Sequence, residues 1–139
     1  MPPGIDQAQL DALFTAALEA GIARIEKYGT FFPLLFELRA NGAIQNVAVL
    51  ETGAIDGAQT VLDRFAELLK PRAREGTIRA AAIVLHHANR DMMEVRLRAT
   101  DYAGDVQVPF AIARGGLLRR KRRLTLGEFT LSAAENEIF

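Results

Sequence analysis

The chain reads as a single α+β domain: one antiparallel sheet of about five to six strands with two helices packed on one face. Its elements follow the order α-β-β-α-β-β-β, with an extended C-terminal segment after them. Three observations predict this. Two stretches carry apolar residues at three- and four-residue spacing, several shorter runs are apolar or alternating and end in turn residues, and no element repeats along the chain. At 139 residues, 50% hydrophobic and 24% charged, the chain can bury one core and has no room for two.

The first helix is marked by Leu10, Leu13, Phe14, Ala17, Leu18, Ile22 and Ile25, which form one apolar stripe. Asp6 and Gln9 stand in capping-box spacing at its start, and Gly29 supplies a left-handed stop after Tyr28. Gly21 falls on the packed side, where its low helix propensity points to a close approach by a neighbour. Two strands follow, near 32 to 40 and 44 to 51, joined by Asn41-Gly42, a dipeptide suited to the positive backbone angles of a tight hairpin. A second helix is predicted from 56 to 70, opened by Asp56 and Gln59 and ended by Pro71, with Ala58, Val61, Leu62, Phe65, Leu68 and Leu69 in its stripe.

Ile78 to Leu85 is apolar on both pleat faces, so it predicts a strand covered on two sides. Residues 92 to 100 alternate, Met93, Val95, Leu97 and Ala99 against Glu94, Arg96, Arg98 and Thr100, as a strand with one wet face would. Tyr102-Ala103-Gly104-Asp105 reads as a turn, and Val106, Val108, Phe110 and Ile112 continue a meander. Leu124, Leu126, Phe129 and Leu131 around Gly127 predict a further strand or a bent strand pair.

Composition narrows the functional classes. With no Cys, the chain has no disulfide, thiolate metal site or cysteine nucleophile, which fits a reducing compartment. The first residues lack the basic and apolar regions of a secretion signal, and no apolar run approaches the ~18 residues of a membrane span, so a cytoplasmic protein with no membrane attachment is expected. Arg greatly outnumbers Lys and Ala is abundant, a bias that points to a bacterial source.

The order of elements over residues 6 to 113 is similar to that of roadblock/longin-like regulatory domains, in which such a sheet often pairs across subunits. This resemblance is one of topology and implies no activity. The phrases Phe32-Pro33-Leu34-Leu35-Phe36-Glu37-Leu38, Arg79-Ala80-Ala81-Ala82-Ile83-Val84-Leu85, Glu94-Val95-Arg96-Leu97 and Val106-Gln107-Val108-Pro109-Phe110 resemble a family of small bacterial proteins of unknown function. That second resemblance implies a single bacterial domain and no catalytic role.

Few residues suggest chemistry. His86 and His87 are the only histidines, and as strand neighbours they point to opposite faces and cannot share one metal ion. One is expected to be packed and hydrogen-bonded, the other half exposed at the strand end. A general acid/base role beside Asp91 or Glu94 is the less favoured reading. Ser132 is the sole serine and has no strand-to-helix elbow around it, and neither a Walker lysine motif nor spaced dinucleotide glycines are present, so no cofactor is expected. Glu37 and Glu51 lie at unequal distances from the first hairpin turn and do not form a carboxylate pair.

Charge is the unusual feature. Arg114, Arg119, Arg120, Lys121, Arg122 and Arg123 fall within ten positions that contain no acid, while the whole chain has 17 basic and 17 acidic residues. Without those six the balance is 11 against 17, a net of minus six. Such a run can bind a polyanion, meet an acidic subunit surface or solvate a loop. It contains no aromatic residue for base stacking, so nucleic acid is a possible but unfavoured partner. The sequence therefore predicts a non-enzymatic interaction or regulatory domain acting as a homodimer, with Ile83, Val84 and Leu85 as buried anchors. A polyanion-binding module built on residues 119 to 123 is the alternative, and a small histidine-dependent enzyme comes third.

Overall fold

In the computed structural model, residues 6–47, 57–87, 89–114 and 122–139 are described. They form two helices, α1 (Gln7–Tyr28) and α2 (Gly57–Arg74), and seven strands. The strands are β1 (Leu34–Arg39), β2 (Ile44–Val47), β3 (Ile78–His87), β4 (Met92–Ala99), β5 (Tyr102–Arg114), β6 (Arg122–Leu126) and β7 (Thr130–Ala133). All pairings are antiparallel in one sheet of order β2-β1-β3-β4-β5-β6, with β7 also paired to β5. The predicted α+β class and single antiparallel sheet hold.

The placement of α2 corrects the expectation of two helices on one face. Leu34, Phe36 and Leu38 of β1 and Ala80, Ala82 and Val84 of β3 join Leu10, Leu13, Ala17 and Ile25 of α1 in one core. The alternate residues, Leu35, Ala81, Ile83 and Leu85, pack instead against Leu62, Phe65 and Leu69 of α2. Adjacent strand residues point to opposite faces, so α1 and α2 lie on opposite sides of the sheet. The doubly apolar β3 is thus explained within one chain: α2 covers the face that was assigned to a second copy. Ile83, Val84 and Leu85 are interior residues, not subunit anchors.

Asp6 caps α1 and Gly29 stops it as predicted, but the cap bond is with Ala8, not within an Asp6–Gln9 capping box. Asp6 accepts a hydrogen bond from the Ala8 amide, and Gly29 sits at φ 85° with its amide donating to the Ile25 carbonyl. A Cβ on Gly21 would lie 3.0 Å from Met93 Sδ and 3.1 Å from both Phe31 Cζ and Val84 Cγ2, which accounts for glycine there. In the first hairpin only Gly42 takes a positive φ, 89°, and the Arg39 amide donates to the Ala43 carbonyl. The turn is therefore a three-residue loop with glycine in the left-handed position, not the tighter two-residue form.

Pro71 lies inside α2, not at its end. Arg72, one residue on, donates from Nε and Nη2 to both carboxylate oxygens of Glu37, at 2.6 and 2.8 Å, and this fork ties the last turn to β1. Tyr102–Asp105, read as a turn, belongs to β5, because Ala99 pairs with Tyr102 and the reversal falls on Thr100 and Asp101. Gly104 serves packing: a Cβ there would lie 2.7 Å from the Tyr102 hydroxyl and 3.1 Å from Leu131. The bent strand pair at the C-terminal end is observed. Phe110 pairs with Leu126 and Gln107 with Thr130, so three residues of one strand oppose two of the other, and β6 and β7 run along β5 around a bulge at Gly127–Phe129.

Candidate functional site

The two histidines stand at the end of β3 and separate as the pleat requires. His86 faces the α1 side. Its ring stacks on Phe31 with centroids 5.9 Å apart and tilts against Phe110 at 5.6 Å, while Nδ1 lies 2.8 Å from Thr30 Oγ1. Nε2 is buried and meets no hydrogen-bond partner among the described residues. Burial holds its pKa below the ordinary 6.5, the nearby His87 lowers it further, and Asp91 opposes the shift.

That depression sets a pH dependence. Below 6.5 the unfolded chain takes up a proton that folded His86 resists, so stability falls as the medium is acidified from pH 7.5 towards 5.5. Replacing His86 with Phe is expected to flatten this part of the profile, measured by urea unfolding at each pH. An unchanged slope would remove His86 as its source.

His87 faces the α2 side, where its Nε2 donates to Glu94 Oε1 at 3.1 Å. Arg96 Nε donates to Glu94 Oε2 at 2.6 Å, and Gln107 approaches from β5. Desolvation pushes the Glu94 carboxyl up, but the hydrogen bonds from Arg96 and His87 outweigh it and hold its pKa below 4.5. A second network surrounds Arg98, whose guanidinium is paired with Asp105 at 2.8 Å and Glu137 at 2.7 Å and also donates to the carbonyls of Leu97 and Gly104. These partners keep the Arg98 pKa raised despite burial. The face predicted to be wet is therefore an ion-pair lattice, with Glu94 8% and Arg98 2% exposed.

The C-terminal segment closes over this lattice. Asn136 donates to the Ala99 carbonyl at 2.7 Å and accepts from the Phe139 amide at 2.9 Å, while Ile138 enters the α2-side core. Beside it lies a cleft of about 390 Å³, lined by Lys70, Arg74, Thr100 and Phe139 among others.

His87 and Glu94 form the histidine–carboxylate pair named from the sequence, while the recorded hydrogen bond of His86 is to Thr30. Ser132 bonds weakly to Gln107 at 3.5 Å and has no recorded contact with an imidazole. Among the described residues no three carboxylate or imidazole side chains gather as metal ligands. Of the basic run, Arg119, Arg120 and Lys121 lie outside the described residues, as do Glu51 and Asp56. Arg114 and Arg122 are register partners at the last rung of the β5–β6 ladder, and Arg123 next to them is exposed.

A different feature went unnoticed in the sequence: an apolar outer margin on the α1 side of the sheet. Ile112, Phe129 and Leu131 are 38%, 44% and 62% exposed. Phe129 leans edge-on against Phe14 of α1 at 5.9 Å, and Leu131 lies beside Gly104 and Tyr102. The alternation of Thr130, Leu131, Ser132 and Ala133 was available as a signal, but a strand at a sheet edge reads the same as one inside it.

Together the fold and this margin define a two-sided α+β sheet domain with one uncharged edge strand, β7. No family model, curated protein or solved structure matches the chain. Among the described residues no helix is long and apolar enough to cross a membrane.

Proposed function

We propose that the protein is a non-enzymatic protein-interaction domain that acts as a homodimer. The observation that carries this reading is the margin formed by Ile112, Phe129 and Leu131. Both faces of β3 are sealed by the chain's own helices, yet Phe129 and Leu131 stay exposed at the β7 edge and Ile112 on β5 beside β6, while Tyr28, Phe32, Ile44 and Leu68 are exposed elsewhere. An open strand edge that carries exposed apolar side chains is a template for pairing with another chain. The alternation of Thr130-Leu131-Ser132-Ala133 brings no charge or proline to the edge, and those are the usual devices that keep such a strand from pairing.

Replacing Leu131 with Asp tests the reading. Leu131 is mostly exposed, so the fold is expected to survive, with an unchanged circular dichroism spectrum. Sedimentation velocity is expected to show two subunits for the native sequence and one for the variant at the same concentration. Equal sedimentation of the two would contradict the proposal.

A second reading is favoured by the register of β5 with β6. Pairing Arg114 with Arg122 brings the two ends of the basic run together at one hairpin end, a disposition suited to a polyanion such as duplex DNA. On this reading affinity falls with salt by about 0.9 log unit per log unit for each phosphate neutralised. Changing Arg119, Arg120, Arg122 and Arg123 to Gln is expected to abolish binding of a fluorescent duplex. Absence of binding by the native protein at low salt would exclude this reading.

A further inference from the structure

We infer that two copies join through β7, strand against antiparallel strand, about a two-fold axis passing beside Ser132. This deepens the homodimer reading and rests on it. The backbone determines which groups are free. The Ala134 amide donates to the Ala103 carbonyl, and the Gly127 amide donates to the Pro109 carbonyl. In an antiparallel ladder inward and outward residues alternate, so with Gly104 opposite Ala133 and Asp105 opposite Ser132, the amide and carbonyl of Ser132 and Thr130 also turn inward to β5. Those of Leu131 and Ala133 turn outward. Among the described residues no strand takes them up.

The same edge is blocked further along. On β6 the outward amide of Leu124 donates to Glu26 Oε2 of α1 at 3.1 Å, so a helix carboxylate occupies the place where another strand would pair. The Leu124 amide on this margin is thus already taken, whereas the outward groups of β7 meet no strand among the described residues, and Leu131 there is 62% exposed.

A second copy fits this edge because the strand is self-complementary. Centred on Ser132, the pairing sets Leu131 against Ala133 of the other copy and Ala133 against Leu131, two hydrogen-bonded pairs that together use all four outward groups. It also sets Thr130 against Ala134, and the paired residues 130–134 carry no charge, so no like charges meet within the ladder. Each Leu131 side chain then lies over the other copy's Ala133 on the α1 side of a continuous sheet.

The absence of cysteine makes a direct test clean. The two Ser132 residues would form a non-hydrogen-bonded pair with Cα atoms about 4.5 Å apart, inside the range a disulfide spans. Ser132→Cys is expected to form a covalent dimer on mild oxidation, seen on a non-reducing gel. Asn46→Cys, on the exposed edge strand β2, is expected to stay monomeric on the gel. The mass of each reduced protein is measured alongside by light scattering. If the reduced proteins are dimeric and Ser132→Cys does not crosslink, or Asn46→Cys crosslinks as readily, the β7 geometry is overturned while the homodimer reading stands. If the reduced proteins have the mass of one chain, the homodimer reading falls and the β7 geometry with it.

Discussion

Replacing Arg72 with Met is expected to destabilise the protein by about 3–5 kcal/mol, read from chemical denaturation at pH 7. Glu37 is 1% exposed on the α2-side face of β1, and the Arg72 fork is its main partner. Arg39, the other cation near it, has its Nε 3.8 Å away, too far for a good hydrogen bond. Without Arg72 the carboxylate loses the interaction that compensates its desolvation, and the last turn of α2 loses its tie to the sheet. Adding Glu37→Met in the same chain is expected to restore most of the loss, because two apolar side chains then replace a buried ion pair. A single-variant cost below about 1 kcal/mol would mean that Glu37 is hydrated and that the fork contributes little.

Phe65→Ala is expected to cost about 3–5 kcal/mol, through lost burial and the cavity left behind. Phe65 is buried in the cluster that joins α2 to Leu35, Ala81, Ile83 and Leu85. The effect tests the two-sided architecture directly. Amide hydrogen exchange is expected to show loss of protection in α2 before loss in α1, since the two helices share no buried cluster. A cost under about 1 kcal/mol, with α2 protection unchanged, would contradict the assignment of α2 as the cover of β3.

Much of this fold was legible because periodicity reports burial. The stripe of α1, the left-handed stop at Gly29 and the close approach at Gly21 follow from the residues alone. The apolar run of β3 correctly required a cover on both faces. Its source was misread, because a sequence does not reveal whether the second cover comes from a distant helix or another copy. The stripe of α2 is equally consistent with either face. Pro71 misled because the feature that holds the last turn, Glu37, lies far away in the chain. Gly104 misled because a strand glycine that makes room for Tyr102 and Leu131 has the same local composition as a turn.

The site was less legible for a related reason. His86 and His87 separate as the strand period dictates, but the partners that define their settings, Thr30, Phe110 and Glu94, come from three other segments. Glu94, Arg96 and Arg98 read as a wet face from their charge. Arg96 pairs with Glu94 on the same strand, but Glu94 and Arg98 find further partners in His87, Gln107, Asp105 and Glu137 on other segments, matches that periodicity does not encode. The apolar margin escaped notice for want of strand order: the exposure of Leu131 follows from β7 lying at the edge.

The central claim is association through that edge, and the most direct measurement is the molar mass of the native protein by light scattering across a dilution series. A dimer gives twice the chain mass of 15.2 kDa at tens of micromolar, with the chain mass emerging only on dilution. A value of 15.2 kDa at every concentration would contradict the account and leave the exposed Ile112, Phe129 and Leu131 without the role assigned to them.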